Sequence, residues 1–310
     1  MDISDRLHTA LDELRMQMLG AEVMLGFQFG ALFQWALGSP SDRQIGAIAA
    51  GFAMIVLTLG LLISVPSMHR LSEDGEATTR ILRISQHFAD IALVCFAGAM
   101  ASNVFLITEI HWGFDAAKYS ATATLFGCAL AWFVLGWGMR RRVPKQLQTM
   151  ERTGSAHTSV RARIDCLLTE ARVILPGAQA LLGFQFIVTL MEPFARMPVE
   201  ARVVHFAALA CVTLSVLLLL SSAAIHRVAF GGADDPRFLR IGSFVVTLAL
   251  MPLALGIALD MYVAAVKVFG TDAIAIPVGV GALVLLSLLW YLLPLALKAR
   301  NKALVGDAVS

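Results

Sequence analysis

The sequence predicts an all-α, polytopic integral membrane protein: eight membrane-crossing helices in two parallel four-helix repeats, with short amphipathic helices at the inner interface. Three observations predict it. Of the 310 residues 58% are apolar and only 15% charged, with a mean hydropathy of +0.76, well outside the range of soluble domains. The charges are also clumped. Lys118 to Arg140 encloses 21 uncharged residues and Asp272 to Lys298 encloses 25, enough to cross a hydrocarbon layer of ~30 Å with about 20 apolar residues. Finally, the chain repeats itself at an offset of 157 residues. Glu13 and Arg15 match Glu170 and Arg172, and Gly20 matches Gly177. Gly26-Phe27-Gln28-Phe29 recurs intact as Gly183-Phe184-Gln185-Phe186. His69-Arg70, Arg80 and Arg83 recur as His226-Arg227, Arg237 and Arg240. A tandem duplication fixes the architecture before any single residue is interpreted.

Taken in order, the apolar stretches fall at roughly 19–38, 45–66, 84–107, 119–139, 173–190, 203–225, 241–266 and 273–297. A large soluble core would need charged outer helix faces, and these stretches have none. Before the first stretch, Ile3, Leu7, Leu11, Leu14 and Met18 fall at helical spacing, with Asp2 or Ser4 available as N-cap. Val160, Ile164, Leu167 and Ile174 repeat the stripe before the fifth. Both segments are expected to lie in the inner interface and run into the following span; the competing reading is a cytosolic coiled-coil partner site. Four spans per copy is an even number, so both copies enter the bilayer from the same side and are related by an axis along the membrane normal. The expected organisation is a first membrane repeat over 1–142, a cytoplasmic linker over 143–159, a second repeat over 160–300 and a cytoplasmic tail over 301–310.

Orientation follows from the basic residues. Of 24 Lys and Arg, only Arg43, Lys118, Arg196, Arg202 and Lys267 fall in outer loops when the N-terminus is inside. This predicts a bacterial inner (plasma) membrane protein with both termini cytoplasmic. The net charge of +2 therefore reports topology, and no nucleic-acid partner is expected. Asp2, Asp5, Asp12 and Glu13 make the N-terminus the opposite of a basic leader. The four cysteines lie apart, without a CxxC, and read as small apolar core residues.

The second copy resembles a family of bacterial membrane proteins known as domain of unknown function 6328. The resemblance rests on Glu170-Ala171-Arg172-Val173-Ile174-Leu175-Pro176-Gly177-Ala178-Gln179, then Leu181-Leu182-Gly183-Phe184, Ile225-His226-Arg227-Val228-Ala229-Phe230 and Trp290 with Pro294. It covers nearly all of 164–297. The first copy keeps Glu13, Arg15, Gly20, Gly26 and His69-Arg70, but has Glu22 in place of Gln179 and Leu19 in place of Pro176. Family members are usually single four-span units, some labelled sodium/proton antiporters. The resemblance implies a helical membrane unit and, if single units pair, a fused dimer whose halves are free to diverge.

Ionisable groups inside hydrocarbon are costly and are functional candidates by default. Glu22, Asp90 and Asp260 qualify as proton or cation carriers; their partners in the other copy are Gln179, Thr247 and Asn103, polar but not acidic. The competing reading has each acid neutral or paired, serving helix packing alone. Gln28 and Gln185 form the best-matched intramembrane polar pair. Two symmetric amides are expected to face each other at the repeat seam, with Gln179 and Asn103 adding polarity and Gly26 and Gly30 permitting close approach. His69, Arg70, His226 and Arg227 end spans at the inner surface, with Arg83 and Arg240 following. They are expected to anchor at lipid phosphates and to pair with Glu13 and Glu170.

No metal or cofactor is expected. Haem would need facing histidines deep in the spans, whereas His111 and His205 lie toward the outer side and only His87 is moderately deep. The sequence has no glycine-rich phosphate loop, no HExxH and no voltage-sensing arginine ladder. Ser64, Ser221 and Ser222 lack a neighbouring base, so no enzymatic activity is expected. Two functions stay open: transport of a small cation or proton through the repeat seam, or a non-catalytic accessory or scaffolding role in a larger membrane complex. The bilayer is the one partner the sequence names; it leaves the oligomeric state open.

Overall fold

A computed structural model describes residues 3–33, 40–130, 132, 159–230 and 235–300, all of them helices and their connections. The helices are α1 (Ile3–Ala31), α2 (Asp42–Ser72), α3 (Thr79–Ala129), α4 (Val160–Thr189), the one-turn α5 (Glu192–Ala195), α6 (Val199–Phe230), α7 (Pro236–Phe269) and α8 (Asp272–Ser287). The last passes through a π-turn at Leu288–Leu292 and runs on to Arg300. The linker over 143–158 and the tail 301–310 fall outside the described residues.

Their starts are written in the sequence. Ser41 and Gln44 form a capping box on α2, and Thr78, Ser159 and Thr271 each accept a backbone N–H at the heads of α3, α4 and α8. Each cap satisfies donors that a helix start otherwise leaves unpaired.

Six helices are long and apolar enough to cross a membrane: Asp42–Ser72, Thr79–Ala129, Val160–Thr189, Val199–His226, Pro236–Phe269 and Asp272–Arg300. The sequence predicts eight spans, and the shortfall has two causes. α1 is not among the six, because charges run through it and its apolar continuation passes beyond Phe33 into residues outside those described. The predicted third span and the first half of the fourth lie within α3, which is 51 residues long but not straight, and most of the fourth's remainder falls outside the described residues.

Gly113, at φ 81° and ψ 179°, interrupts α3 with a backbone that only glycine adopts readily. Ser120 Oγ donates to Thr108 Oγ1 at 3.1 Å, whereas 12 residues of straight helix would separate them by about 18 Å. The Phe96 and Trp132 rings stack at 6.1 Å, where a straight rod would hold them about 54 Å apart. α3 is therefore an antiparallel hairpin with arms over 79–112 and 114–129. Gly270, which closes α7 at φ 66°, stands 157 residues after Gly113. The same reversal thus joins the third and fourth helical segments of both copies.

The copies meet along α1 and α4, which pack closely side by side. Near their starts His8 Nε2 lies 3.3 Å from Cys166 Sγ. Further along, the Glu22 carboxylate rests against Gly177, and beyond that the Phe184 ring covers Gly26. These contacts advance together, so the two helices run parallel. The amphipathic stripes run on into the following apolar segments, as the sequence predicts, and face protein. Leu7, Leu11, Leu14, Met18, Ile164, Leu167 and Ile174 are all buried. Two matching apolar stripes cover one another, which removes the need for a lipid cover.

Around this seam each copy packs its own helices: α2 on α3 in the first, α6 on α7 and α7 on α8 in the second. A second tie crosses between copies. Buried Trp290 donates from Nε1 to the Gly60 carbonyl at 3.0 Å, and Ser67 Oγ donates to the Trp290 carbonyl, which has no helical donor four residues on because Pro294 lacks an N–H.

The seam yields a direct prediction. A Cβ at Gly26 would lie 2.0 Å from Phe184 Cδ2, whereas nothing lies within 4 Å of one at Gly30. Gly26→Ala should lower stability by about 1–3 kcal/mol, and Phe184→Ala should restore part of it. Gly30→Ala should be neutral or better, since alanine gains up to ~1 kcal/mol over glycine inside a helix. Thermal unfolding in detergent checks this; equal stability of Gly26→Ala and Gly30→Ala would show the contact carries no weight.

Candidate functional site

The described residues hold three buried ionisable groupings, all against α4. Nearest its start is Glu170, with no exposed surface. Its Oε1 lies 2.5 Å from His69 Nδ1, and its Oε2 accepts from Arg70 Nη1. Arg70 also donates from Nε to Thr247 Oγ1 at 3.2 Å. His69 and Arg70 come from the first copy and Glu170 from the second, so this ion pair joins the halves. The sequence predicts the Glu170 partnership but also a lipid anchor, and here the structure differs. His69 and Arg70 are buried at 1% and 6% exposure, because a charge held by a buried carboxylate is drawn out of the interface.

Among the described residues the mirror-image pairing is not seen. Glu13 is exposed, and the His226 ring rests on Phe238 at 4.4 Å with its Nε2 lacking a partner among the described residues. The Arg227 side chain lies outside the described residues. Arg83 and Arg240 are exposed.

The middle grouping is Glu22, at 2% exposure. Its carboxylate fills the space a side chain would take at Gly177, where a Cβ would fall 0.9 Å from Oε2. That oxygen has no hydrogen-bond partner among the described residues. Both copies carry this glycine, as Gly20 and Gly177, but the acid occurs in one alone: Glu22 has Gln179 as its counterpart.

The third grouping lies near the far end of α4 and entirely within the second copy. Gln185 Nε2 donates to Asp260 Oδ2 at 2.6 Å. His205 Nδ1 lies 3.2 Å from Asp260 Oδ1, and His205 Nε2 lies 3.2 Å from the backbone oxygen of Gln185. All three are buried. Phe29 of the first copy stacks on the His205 ring at 5.4 Å, and Phe194 meets it edge-on at 5.0 Å.

Hydrogen-bond accounting shows which arrangement satisfies every contact of this triad. A carbonyl oxygen only accepts, so His205 Nε2 carries a hydrogen. The Nδ1–Oδ1 contact then requires one more proton, on the imidazole or on the carboxyl. With it the triad is net neutral; without it two lone pairs face each other at 3.2 Å beside an unmatched negative charge.

Several sequence expectations are corrected by this geometry. Gln28 and Gln185 do not face each other across the seam. Gln185 turns to Asp260 in its own copy, while Gln28 lies beside Gly51 of α2, its amide atoms without partners among the described residues. Asn103 donates to the Met24 sulfur at 2.9 Å within the first copy. Gln179 is exposed and contributes nothing to the seam. Asp90 stands exposed on α3 with His87 and Arg83, so the three acids do not form one group.

His205 is the residue the sequence analysis passes over, because its position early in a span suggested the outer surface. One signal marks it. Counted back by 157, the triad Gln185–His205–Asp260 becomes Gln28–Ile48–Asn103, so both ionisable members occur in one copy alone.

Fold and site together give an all-helical chain made of two copies of one unit, each carrying its own buried polar residues, and the six long apolar helices suggest a multi-pass membrane protein. The chain belongs to a family of unknown function (DUF6328), whose model matches it twice, over residues 4–136 and 155–294. The double match is consistent with a tandem duplication of that unit. Neither a comparison with curated proteins nor one with solved structures finds a match.

Removing one partner of a buried ion pair strands the other. Glu170→Gln should therefore cost about 3–5 kcal/mol, while Glu13→Gln at the matching exposed position should stay within about 0.5 kcal/mol of the parent. Unfolding both variants in the same detergent tests it, and similar losses at the two sites would refute the asymmetry.

Proposed function

We propose that this chain is an eight-span protein of a bacterial inner membrane, both termini cytoplasmic, that moves protons or a small cation along the repeat seam. One observation carries the reading: the three buried groupings are spaced along one face of α4. Glu170, Gly177 with Glu22 against it, and Gln185 with Asp260 beyond it lie seven and eight residues apart. At 1.5 Å and 100° per residue this spans about 22 Å within a sector of roughly 80°, against a hydrocarbon thickness of ~30 Å. Intramembrane ionisable groups facing the bundle interior typify proton relays.

In this reading the Asp260–His205 pair holds and releases one proton, Gln185 fixes the carboxylate, and Glu22 is the intermediate station. Glu170, tied to His69 and Arg70, is the cytoplasmic one. Direct proton transfer needs heavy atoms about 2.6–3.2 Å apart, so the ~10–12 Å intervals require water or helix movement between stations. Asp90 has no part in this path. Beyond the six long apolar helices, the two further proposed spans come from α1 and from counting the two arms of α3 separately.

A second reading, an accessory or scaffolding subunit of a larger membrane complex, is favoured by the aromatic wall of Phe29 and Phe194 around His205. On that reading the triad is a packing device and no solute moves.

Proteoliposomes holding a pH-sensitive dye separate the two. Proton flux should rise above that of empty liposomes and fall at least about tenfold in Asp260→Asn and in Glu22→Gln, with Asp90→Asn unchanged. Flux equal to empty liposomes between about pH 5 and pH 9 would leave the accessory reading, for which other membrane proteins should co-purify in mild detergent. The topology has its own test: a single cysteine at Met150 should react with an impermeant label only from the cytoplasmic side. Labelling from outside intact cells would overturn the orientation.

A further inference from the structure

At the end of the bundle where α2 finishes and α4 and α7 begin lies a polar cavity of about 400 Å³, lined by His69, Arg70, Arg163, Glu170, Arg240 and Ser243 among others. This volume is within the range of small-molecule sites, about 300–1,000 Å³. Its walls are rich in donors and short of free acceptors. Both Glu170 oxygens are held by His69 and Arg70. Asp74 is held by Lys298 at 2.5 Å, and neighbouring Glu76 by Arg163 at 3.1 Å.

The donors are in surplus. Arg70 Nη2 and Arg163 Nε are buried N–H donors without a hydrogen-bond partner among the described residues, and Arg240 makes no ion pair there. The turn that roofs the cavity is shaped to come close. Gly75, at φ 79°, carries the backbone over Arg163, where a Cβ would stand 3.4 Å from Nε. A buried donor left unmatched costs about 1–3 kcal/mol, so several converging on one cavity mark a place for a ligand that brings acceptors.

We infer that this cavity binds a phosphate-bearing anion through Arg70, Arg163 and Arg240. A tetrahedral oxyanion supplies several acceptor oxygens, and guanidinium forks match two of them at once. The cavity lies among helix ends that also carry Lys298, the level at which lipid phosphates would sit in the proposed topology. A phospholipid headgroup and a free phosphate compound share the recognised chemistry. The site replaces the flat lipid contact expected for His69 and Arg70 with a concave one. It shares Glu170 with the proposed proton path but does not depend on it, because binding is read here without flux.

The test uses the full chain, purified and delipidated in an uncharged detergent. In one arm, inorganic phosphate is titrated against chloride at matched ionic strength while thermal unfolding is followed. In the other, phosphatidylglycerol and phosphatidylcholine are offered in equal amounts and the retained lipid is measured by native mass spectrometry. A saturable rise in Tm with phosphate assigns a free anion. Preferential retention of phosphatidylglycerol without a phosphate effect assigns a lipid headgroup. In either case Arg240→Gln, at an exposed position, should fold with unchanged Tm in the absence of ligand and bind about tenfold more weakly. Arg70→Gln would strand Glu170 and is not the deciding variant. No response in either arm, or an Arg240→Gln protein that binds like the parent, overturns the site.

Discussion

Side by side and parallel, α1 and α4 are two versions of one helix, and they touch at positions where one partner has no side chain. The Phe184 ring occupies the place of a Gly26 side chain, and the Glu22 carboxylate that of a Gly177 side chain. In a bilayer, helices gain little by hiding apolar surface from each other, so close packing of small residues carries the association. The seam then sets everything built on it. Because the two helices run in the same direction, each copy's remaining helices wrap the same way around its own member of the pair. The matched reversals at Gly113 and Gly270 follow from that shared path.

A duplicated unit about a two-fold axis offers every cross-contact twice. This chain uses several only once. Glu170 takes His69 and Arg70 from the other copy, yet Glu13 stays exposed and His226 turns to Phe238. Gly177 receives a carboxylate, but Gly20 meets the Phe96 ring. Each departure from symmetry loosens the requirement that one sequence serve two places, and covalent fusion is what makes such departures heritable position by position. The polar chemistry of the protein is concentrated where the copies disagree.

The architecture was legible because it depends on periodicities that survive averaging: long uncharged runs, a constant offset, capping residues such as Ser41 and Ser159. The candidate site was legible only in part. Glu22 and Asp260 stand out, since an acid in an apolar run is conspicuous whatever surrounds it. Which face of a helix it occupies is decided by packing across the bundle, so Asp90 looks equally promising in sequence and yet faces outward. The Gln28–Gln185 symmetry misled for the same reason. Identical residues on parallel helices point into their own halves when the neighbours that attract them, here Asp260 and His205, belong to one half. A histidine near a span end reads as interfacial until α7 and the Phe29 ring are placed around it.

The first copy also serves as an internal control on the meaning of the triad. It builds the same helical arrangement with Ile48 where the second has His205, and Asn103 where the second has Asp260. The fold therefore does not require an ionisable pair at this depth. Replacing buried ion pairs with apolar or neutral groups is often harmless or stabilising, and intramembrane hydrogen bonds average only about 0.6 kcal/mol. A pair retained for packing alone would confer little that the Gln28–Ile48–Asn103 arrangement lacks. What the second copy has, and the first cannot have, is a group whose hydrogen-bond geometry is complete only while one proton is present. That difference in chemistry, set against so close a likeness in packing, is what the proposed proton path rests on.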